Sequence, residues 1–121
     1  MASFTTQIMS KFGLYSDKSE AIPFESHLEG LEEETKNSLL NLRNYLKSLG
    51  NNVIEEIRPH RITYAKTLSF RTFLDIQPRK DSLVISIRKG RNEPVTNHTI
   101  NTTQESEEIK YKIAEAYTTI R

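Results

Sequence analysis

The chain has 121 residues, of which 36% are apolar and 27% are charged, and its formal net charge is +1. This is the size of one ordinary domain with a single core, and no apolar run approaches the roughly 20 residues that span a bilayer, so we expect no membrane partner. The sequence has no cysteine, which excludes disulfides, thiolate nucleophiles and thiolate metal ligands and fits a cytoplasmic protein.

The first segment of the chain lacks a sustained hydrophobic period and is rich in Ser and Thr. We therefore predict an irregular N-terminal arm over residues 1–22, with one short helical turn near residues 7–12, and a single domain over residues 23–121. Ser26 and Glu29 have the spacing of a capping box, which is compatible with a helix start. Gly30 would soon interrupt such a helix.

Leucines recur at helical spacing in the next segment: Leu31, Leu39, Leu42, Leu46 and Leu49. They predict an amphipathic helix with one apolar face. Acidic residues 32–34 lie in its first turn and Lys47 in its last, the order that suits the helix dipole. Gly50 is a natural stop after the last turn.

After residue 50 the hydrophobic period changes from helical to alternating, which predicts β-strands at 53–58, 61–66, 69–77 and 83–88. In the third strand one face is expected to carry Phe70, Thr72, Leu74 and Ile76, and the other Arg71, Phe73, Asp75 and Gln77. The fourth strand places Leu83, Ile85 and Ile87 on its apolar face. The pattern predicts an antiparallel meander with one apolar face.

Residues 90–103 are polar and read as a loop, with an edge strand around 95–100 as the alternative. A last helix over 106–120 is predicted from the spacing of Ile109, Ile113 and Ile120, with Thr102 and Glu105 or Ser106 placed to cap it. The predicted fold is α+β, an antiparallel sheet of about four strands with two amphipathic helices packed on one face.

Several segments have a distinctive order along the chain: YSD at 15–17, HLEG at 27–30, the helix at 35–50, RITYAK at 61–66, FLDIQPRK at 73–80 and LVI at 83–85. Together they resemble the uncharacterised domain-of-unknown-function 5655 family over roughly residues 15–90. Members occur alone or attached to larger proteins, some of which look like restriction endonucleases and others of which are called predicted transport proteins. The resemblance implies no settled activity. This chain departs from the family at residues 90–105, which are short and lack Trp and a second Gly.

Catalytic and metal-binding patterns are weak. The histidines at 27, 60 and 98 lie in unrelated segments without a metal-ligand spacing. A nuclease metal site needs an acidic residue followed by E-x-K or Q-x-K on adjoining strands. Asp75 with Gln77-Pro78-Arg79 is the nearest match but has Arg in place of Lys, and Glu108-Ile109-Lys110 falls in a predicted helix. We therefore expect a non-enzymatic protein with no catalytic residue, metal or cofactor, and rank a nuclease-like enzyme last.

Residues 51–91 carry nine basic and four acidic residues, whereas acidic residues outnumber basic ones on both sides of this segment. The candidate binding residues are Arg58, Arg61, Arg71, Phe73, Arg79, Lys80, Arg88, Lys89 and Arg91. An open sheet face with cations for phosphates and a ring for stacking on bases is typical of single-strand nucleic-acid binding. The leading hypothesis is a binding module for nucleic acid or an acidic protein. The alternative is a protein interaction or homodimer face, because outward Lys and Arg are also common on exposed sheets.

Overall fold

The computed structural model describes residues 21–67, 71–90 and 92–120. Its elements are a 3₁₀ helix at Phe24–His27, α1 at Glu33–Ser48, β1 at Val53–Ile57, β2 at Ile62–Lys66, β3 at Thr72–Arg79, β4 at Ser82–Ile87, β5 at Thr96–Ile100, α2 at Thr103–Glu108 and α3 at Lys110–Thr119. Nearly all of the predicted arm lies outside the described residues, as do Phe70 and Arg91. None of the helices described is both long and apolar enough to cross a bilayer.

The five strands form one antiparallel meander in the order β1-β2-β3-β4-β5. The α+β class and the antiparallel sheet are therefore confirmed, and the fifth strand corrects the expected number of about four. β5 confirms the edge strand that the sequence offered around 95–100 as the alternative to a loop, and its mostly polar sequence, TNHTI, explains why the loop was the first expectation. Only Ile100, opposite Leu83, is buried in the core.

The helices cover one face of the sheet, which we call the inner face. Cross-strand partners share a face, and one inner row runs Ile57, Ile62, Ile76, Ile85 and His98. Helix α1 packs on β4 and on α2, while α3 packs on β3 and β4. The predicted leucines at 39, 42 and 46 are fully buried in the resulting core, together with Ile113 of α3.

A β-bulge in β3 changes the predicted face of Phe73. Tyr64 pairs with Leu74 but Ala65 pairs with Thr72, so Phe73 is an extra residue in the ladder. A bulge re-aims the side chain at its site, and Phe73 is fully buried with its ring against Tyr117 of α3. The prediction that this ring lies on the exposed face is therefore wrong.

Helix ends also differ from the sequence prediction in detail. Ser26 lies inside the 3₁₀ helix and donates to the carbonyl of Pro23 rather than capping a helix with Glu29. The last helix begins at Thr103 rather than Ser106, and Ile109 divides it into α2 and α3. Its predicted cap is confirmed, because the Thr102 hydroxyl and the Glu105 carboxylate form a reciprocal capping box.

Candidate anion-binding site

The face of the sheet opposite the helices, which we call the outer face, is polar. Its central row crosses all five strands and consists of the register partners Glu56, Thr63, Asp75, Ser86 and Asn97. The row is tied together by side-chain hydrogen bonds. Thr63 Oγ1 donates to Asp75 Oδ1 at 2.7 Å, and Ser86 Oγ donates to Asn97 Oδ1 at 2.7 Å. These bonds fix the orientation of the polar groups that the outer face presents.

A shallow cavity of about 260 Å³ lies over this row, and we call it the arginine cavity. The polar side chains in its lining are Arg58, Arg61, Thr63, Thr72, Asp75, Ser86 and Arg88. Three guanidinium groups and one carboxylate thus surround a single concave surface. Guanidinium forks bind phosphate or carboxylate oxygens in a bidentate manner. The arrangement is suited to an anionic ligand.

The three arginines differ in how firmly they are held by acids. Arg58 Nη2 lies 2.9 Å from Glu56 Oε1, but both side chains are more than half exposed. Arg61 Nη1 is 3.8 Å from Asp75 Oδ2, a loose ion pair. Among the described residues, no carboxylate forms an ion pair with Arg88. Because exposed pairs contribute only about 0–1 kcal/mol, a phosphate can compete with these acids for the guanidinium groups.

Local structure places the arginines at the two ends of the cavity. Arg58 and Arg61 flank the turn between β1 and β2, which the amide of Arg58 closes by donating to the carbonyl of Arg61 at 2.9 Å. Arg88 follows β4, and its amide donates to the carbonyl of Phe73 at 3.0 Å. Arg61 precedes Ile62, the partner of Ile76. The register therefore places Arg61 and Arg88 opposite positions of β3 that are about four residues apart, a backbone distance of roughly 13 Å.

A buried histidine, His27, holds the turn that carries Arg58. His27 Nε2 lies 2.6 Å from the carbonyl oxygen of Arg58. A carbonyl only accepts hydrogen bonds, so this ring nitrogen must carry the proton. His27 is 9% exposed and lies in the 3₁₀ helix before α1. The HLEG motif thus contributes to the cavity by positioning one of its arginines.

The other predicted binding residues are spread over the fold. Arg79 and Lys80 are exposed at the turn between β3 and β4, and the Lys80 carbonyl accepts the amide of Glu32 at the start of α1. Lys89 pairs with Glu115 of α3 at 3.3 Å. Arg71 is half-buried next to β3, and Arg91 lies outside the described residues. The structure therefore brings together Arg58, Arg61 and Arg88 of the nine candidates.

Sequence reasoning missed the polar floor of the cavity. The sequence pattern places Asp75 on the outward face of the third strand and next to a nuclease-like motif, but it assigns no binding role to Thr63 or Ser86. Each of the three stands between two apolar residues in its strand, which is the sequence signal of an outward position. Recognising them as one row required the register between strands, which the sequence alone does not supply.

A second polar cluster lies on the inner face at the edge of the sheet. Arg43 of α1 forms a bidentate pair with Glu55 of β1, with both nitrogen to oxygen distances at 2.9 Å, and the Tyr64 hydroxyl donates to Glu55 at 2.6 Å. Burial alone would raise the pKa of Glu55, but the hydrogen bonds from Arg43 and Tyr64 hold it below its usual range. Burial and the Glu55 acceptor raise the pKa of Tyr64 above its ordinary value. With its polar groups bonded to one another, the cluster joins α1 to the sheet.

The nuclease candidates are not arranged as a metal site. Lys110 Nζ contacts Glu107 and Asn41 rather than Glu108. Throughout residues 21–67, 71–90 and 92–120, no group of three acidic or histidine side chains is placed to hold a metal ion.

A second cavity, more open than the arginine cavity, lies beside β5. It contains His98 and Glu105, and the Glu105 carboxylate already caps α2. Partial burial and nearby Lys112 lower the pKa of His98.

Comparison with known proteins adds no assignment. The chain matches no family model, no curated protein and no solved structure. Membership of the domain-of-unknown-function 5655 family therefore stays a prediction, carried by the HLEG and FLDIQPRK motifs.

Proposed function

We propose that this protein is a non-enzymatic binding module that holds the sugar-phosphate backbone of a nucleic-acid strand on the outer face of its sheet. The observation that carries the proposal is the convergence of Arg58, Arg61 and Arg88 on one cavity. The shape of the arginine cavity favours an extended ligand, since arginines lie at both of its ends along β3. The cytoplasmic location expected from the sequence stays a prediction.

The mode of contact differs from the one first expected. Phe73 was expected to stack on bases, but its ring is buried, and the described strands present no Phe or Tyr on the outer face. Contacts to phosphate position a strand without reading its sequence. The module is therefore proposed to recognise the backbone rather than base identity.

A protein interaction or homodimer face is the second candidate. It is favoured by Val95, which is 40% exposed at the rim of the arginine cavity, and by β5, whose outer edge is not paired with any described strand. Unpaired edges can add a strand from another chain. Sedimentation across a salt series separates the candidates, because association through apolar and backbone contacts should persist in salt that releases a polyanion.

The direct test is fluorescence anisotropy at low salt with a labelled single-stranded oligonucleotide of about 12 nucleotides, a length within known single-strand site sizes. We expect Arg61→Ala and Arg88→Ala each to weaken binding about fivefold or more, equivalent to roughly 1 kcal/mol. Lys36→Ala in α1, the helix that packs on the inner face, removes the same charge at a distance and should leave binding unchanged. If the wild-type protein binds no oligonucleotide at low salt, the proposal fails and the interaction candidate replaces it.

A further inference from the structure

Asp75 occupies the centre of the arginine cavity, where a carboxylate is unexpected in a site for a polyanion. Its side chain is 27% exposed, its Oδ1 accepts the Thr63 hydroxyl at 2.7 Å, and its Oδ2 is 3.8 Å from Arg61. Oδ1 is therefore the oxygen that is already hydrogen-bonded within the sheet. Oδ2 is the oxygen left for a ligand, since the Arg61 contact is too long for a good hydrogen bond.

The charges alternate along the cavity. Arg58 and Arg61 lie at one end, Asp75 in the middle and Arg88 at the other end. A phosphate placed over Asp75 would meet like charge, whereas a phosphate at either end would meet a guanidinium. The middle position therefore favours a group that donates a hydrogen bond to a carboxylate. The complementary ligand has two anionic groups separated by a unit that carries a donor.

We infer that Asp75 accepts a hydrogen bond from a ribose 2′-hydroxyl and so makes the cavity selective for RNA over DNA. This inference rests on the proposed function. Along a strand the units between phosphates are sugars, and the 2′-hydroxyl is the donor that distinguishes ribose from deoxyribose. A DNA strand would bring the same phosphates past Asp75 without a donor for its carboxylate. The mismatch leaves a charged acceptor unsatisfied beside the ligand, which lowers affinity.

Asp75→Asn is the informative variant because it preserves the shape of the side chain and replaces one hydrogen-bond acceptor with a donor. If the amide oxygen keeps the Thr63 hydroxyl, the amide nitrogen replaces Oδ2 and presents a donor to the cavity. A donor cannot accept the 2′-hydroxyl, but it no longer repels phosphate. Asp81→Asn is the matched control, since Asp81 is an exposed acid in the turn between β3 and β4 and is not part of the cavity lining.

The experiment compares RNA, DNA and 2′-O-methyl RNA oligonucleotides of one sequence at one salt concentration. The wild-type protein should favour RNA over both other strands by about tenfold, the size expected for a hydrogen bond to a charged group. The preference should fall toward unity in Asp75→Asn and persist in Asp81→Asn. The comparison with 2′-O-methyl RNA needs no variant, so it holds even if Asp75→Asn folds poorly.

The outcomes separate this inference from the proposed function. Equal wild-type binding of the three strands, or a preference that survives in Asp75→Asn, overturns the role of Asp75 while leaving the arginine site in place. Binding of none of the strands overturns both. Selective loss of the RNA preference in Asp75→Asn alone supports both.

Discussion

The imidazole of His27 donates through Nε2 to the carbonyl oxygen of Arg58 at 2.6 Å, which joins the segment before α1 to the turn between β1 and β2. The two residues are 31 positions apart in the chain. The bond is partly buried, because His27 is 9% exposed. It therefore adds a long-range contact to a turn that the Arg58 amide closes by donating to the Arg61 carbonyl.

His27→Ala should lower both stability and binding. The change leaves the Arg58 carbonyl without its partner, and a lost buried hydrogen bond costs about 1–3 kcal/mol. Urea unfolding measures the first effect, and oligonucleotide anisotropy in the folded range measures the second. His60→Ala is the matched control, since His60 is exposed in the same turn and should change stability by no more than about 0.5 kcal/mol. Equal effects of the two variants would contradict the anchoring role of His27.

Phe73→Ala should destabilise the fold rather than act on binding alone. The ring is fully buried and meets Tyr117 edge to face, with centroids 5.6 Å apart and planes at 66°. Loss of a buried phenyl ring costs about 3–5 kcal/mol. Tyr111→Ala removes an aromatic side chain that is 66% exposed and should have little effect. Urea unfolding of the two variants provides the comparison, and a stable Phe73→Ala protein would argue against the bulge.

The sequence was sufficient where local signals agreed. The leucine spacing predicted the buried face of α1, and the Thr102 and Glu105 spacing predicted the cap of α2. It was insufficient where the answer depends on a neighbouring strand. Strict alternation places Phe73 on the exposed face, because the bulge that turns it inward arises only when β2 pairs with β3. The hydrogen bond between Thr63 and Asp75 depends on the same register.

Gly50 has a different role from the one its position suggests. It follows the C-cap of α1, as predicted, but its backbone is not left-handed. A Cβ there would lie 2.5 Å from Tyr117 Oη and 2.8 Å from Asn52 Oδ1. Any larger residue would therefore force the side chains of Tyr117 and Asn52 to shift.

Gly50→Ala should accordingly lower the free energy of unfolding by about 1–3 kcal/mol, as overpacking does elsewhere. At Gly90 the nearest atom to an added Cβ is Glu93 Cγ at 3.4 Å, close to an ordinary van der Waals contact, and Glu93 is exposed. Gly90→Ala should thus be nearly neutral. Thermal unfolding of both variants decides the point, and a neutral Gly50→Ala would show that Tyr117 moves aside freely.

Glu55→Gln should destabilise the protein in a pH-dependent way. The ionised carboxylate is bonded to Arg43 and Tyr64, and its pKa is held below the usual range. A lowered folded pKa contributes stability that is present above the unfolded pKa of about 4.3 and is lost as pH falls through the folded value. At neutral pH the variant should lose about 2 kcal/mol, and the difference from wild type should shrink at acid pH. Urea unfolding at pH 7 and pH 3 measures it. A difference independent of pH would contradict an ionised Glu55.

The most direct test of the arginine cavity is the slope of log affinity against log salt for a single-stranded oligonucleotide. Each phosphate contact should contribute about −0.7 to that slope. The account predicts that Arg61→Ala and Arg88→Ala each make the slope shallower by about 0.7, while Lys36→Ala leaves it unchanged. A slope that is the same in the wild type, Arg61→Ala and Arg88→Ala would contradict the assignment of the cavity as the phosphate-binding site.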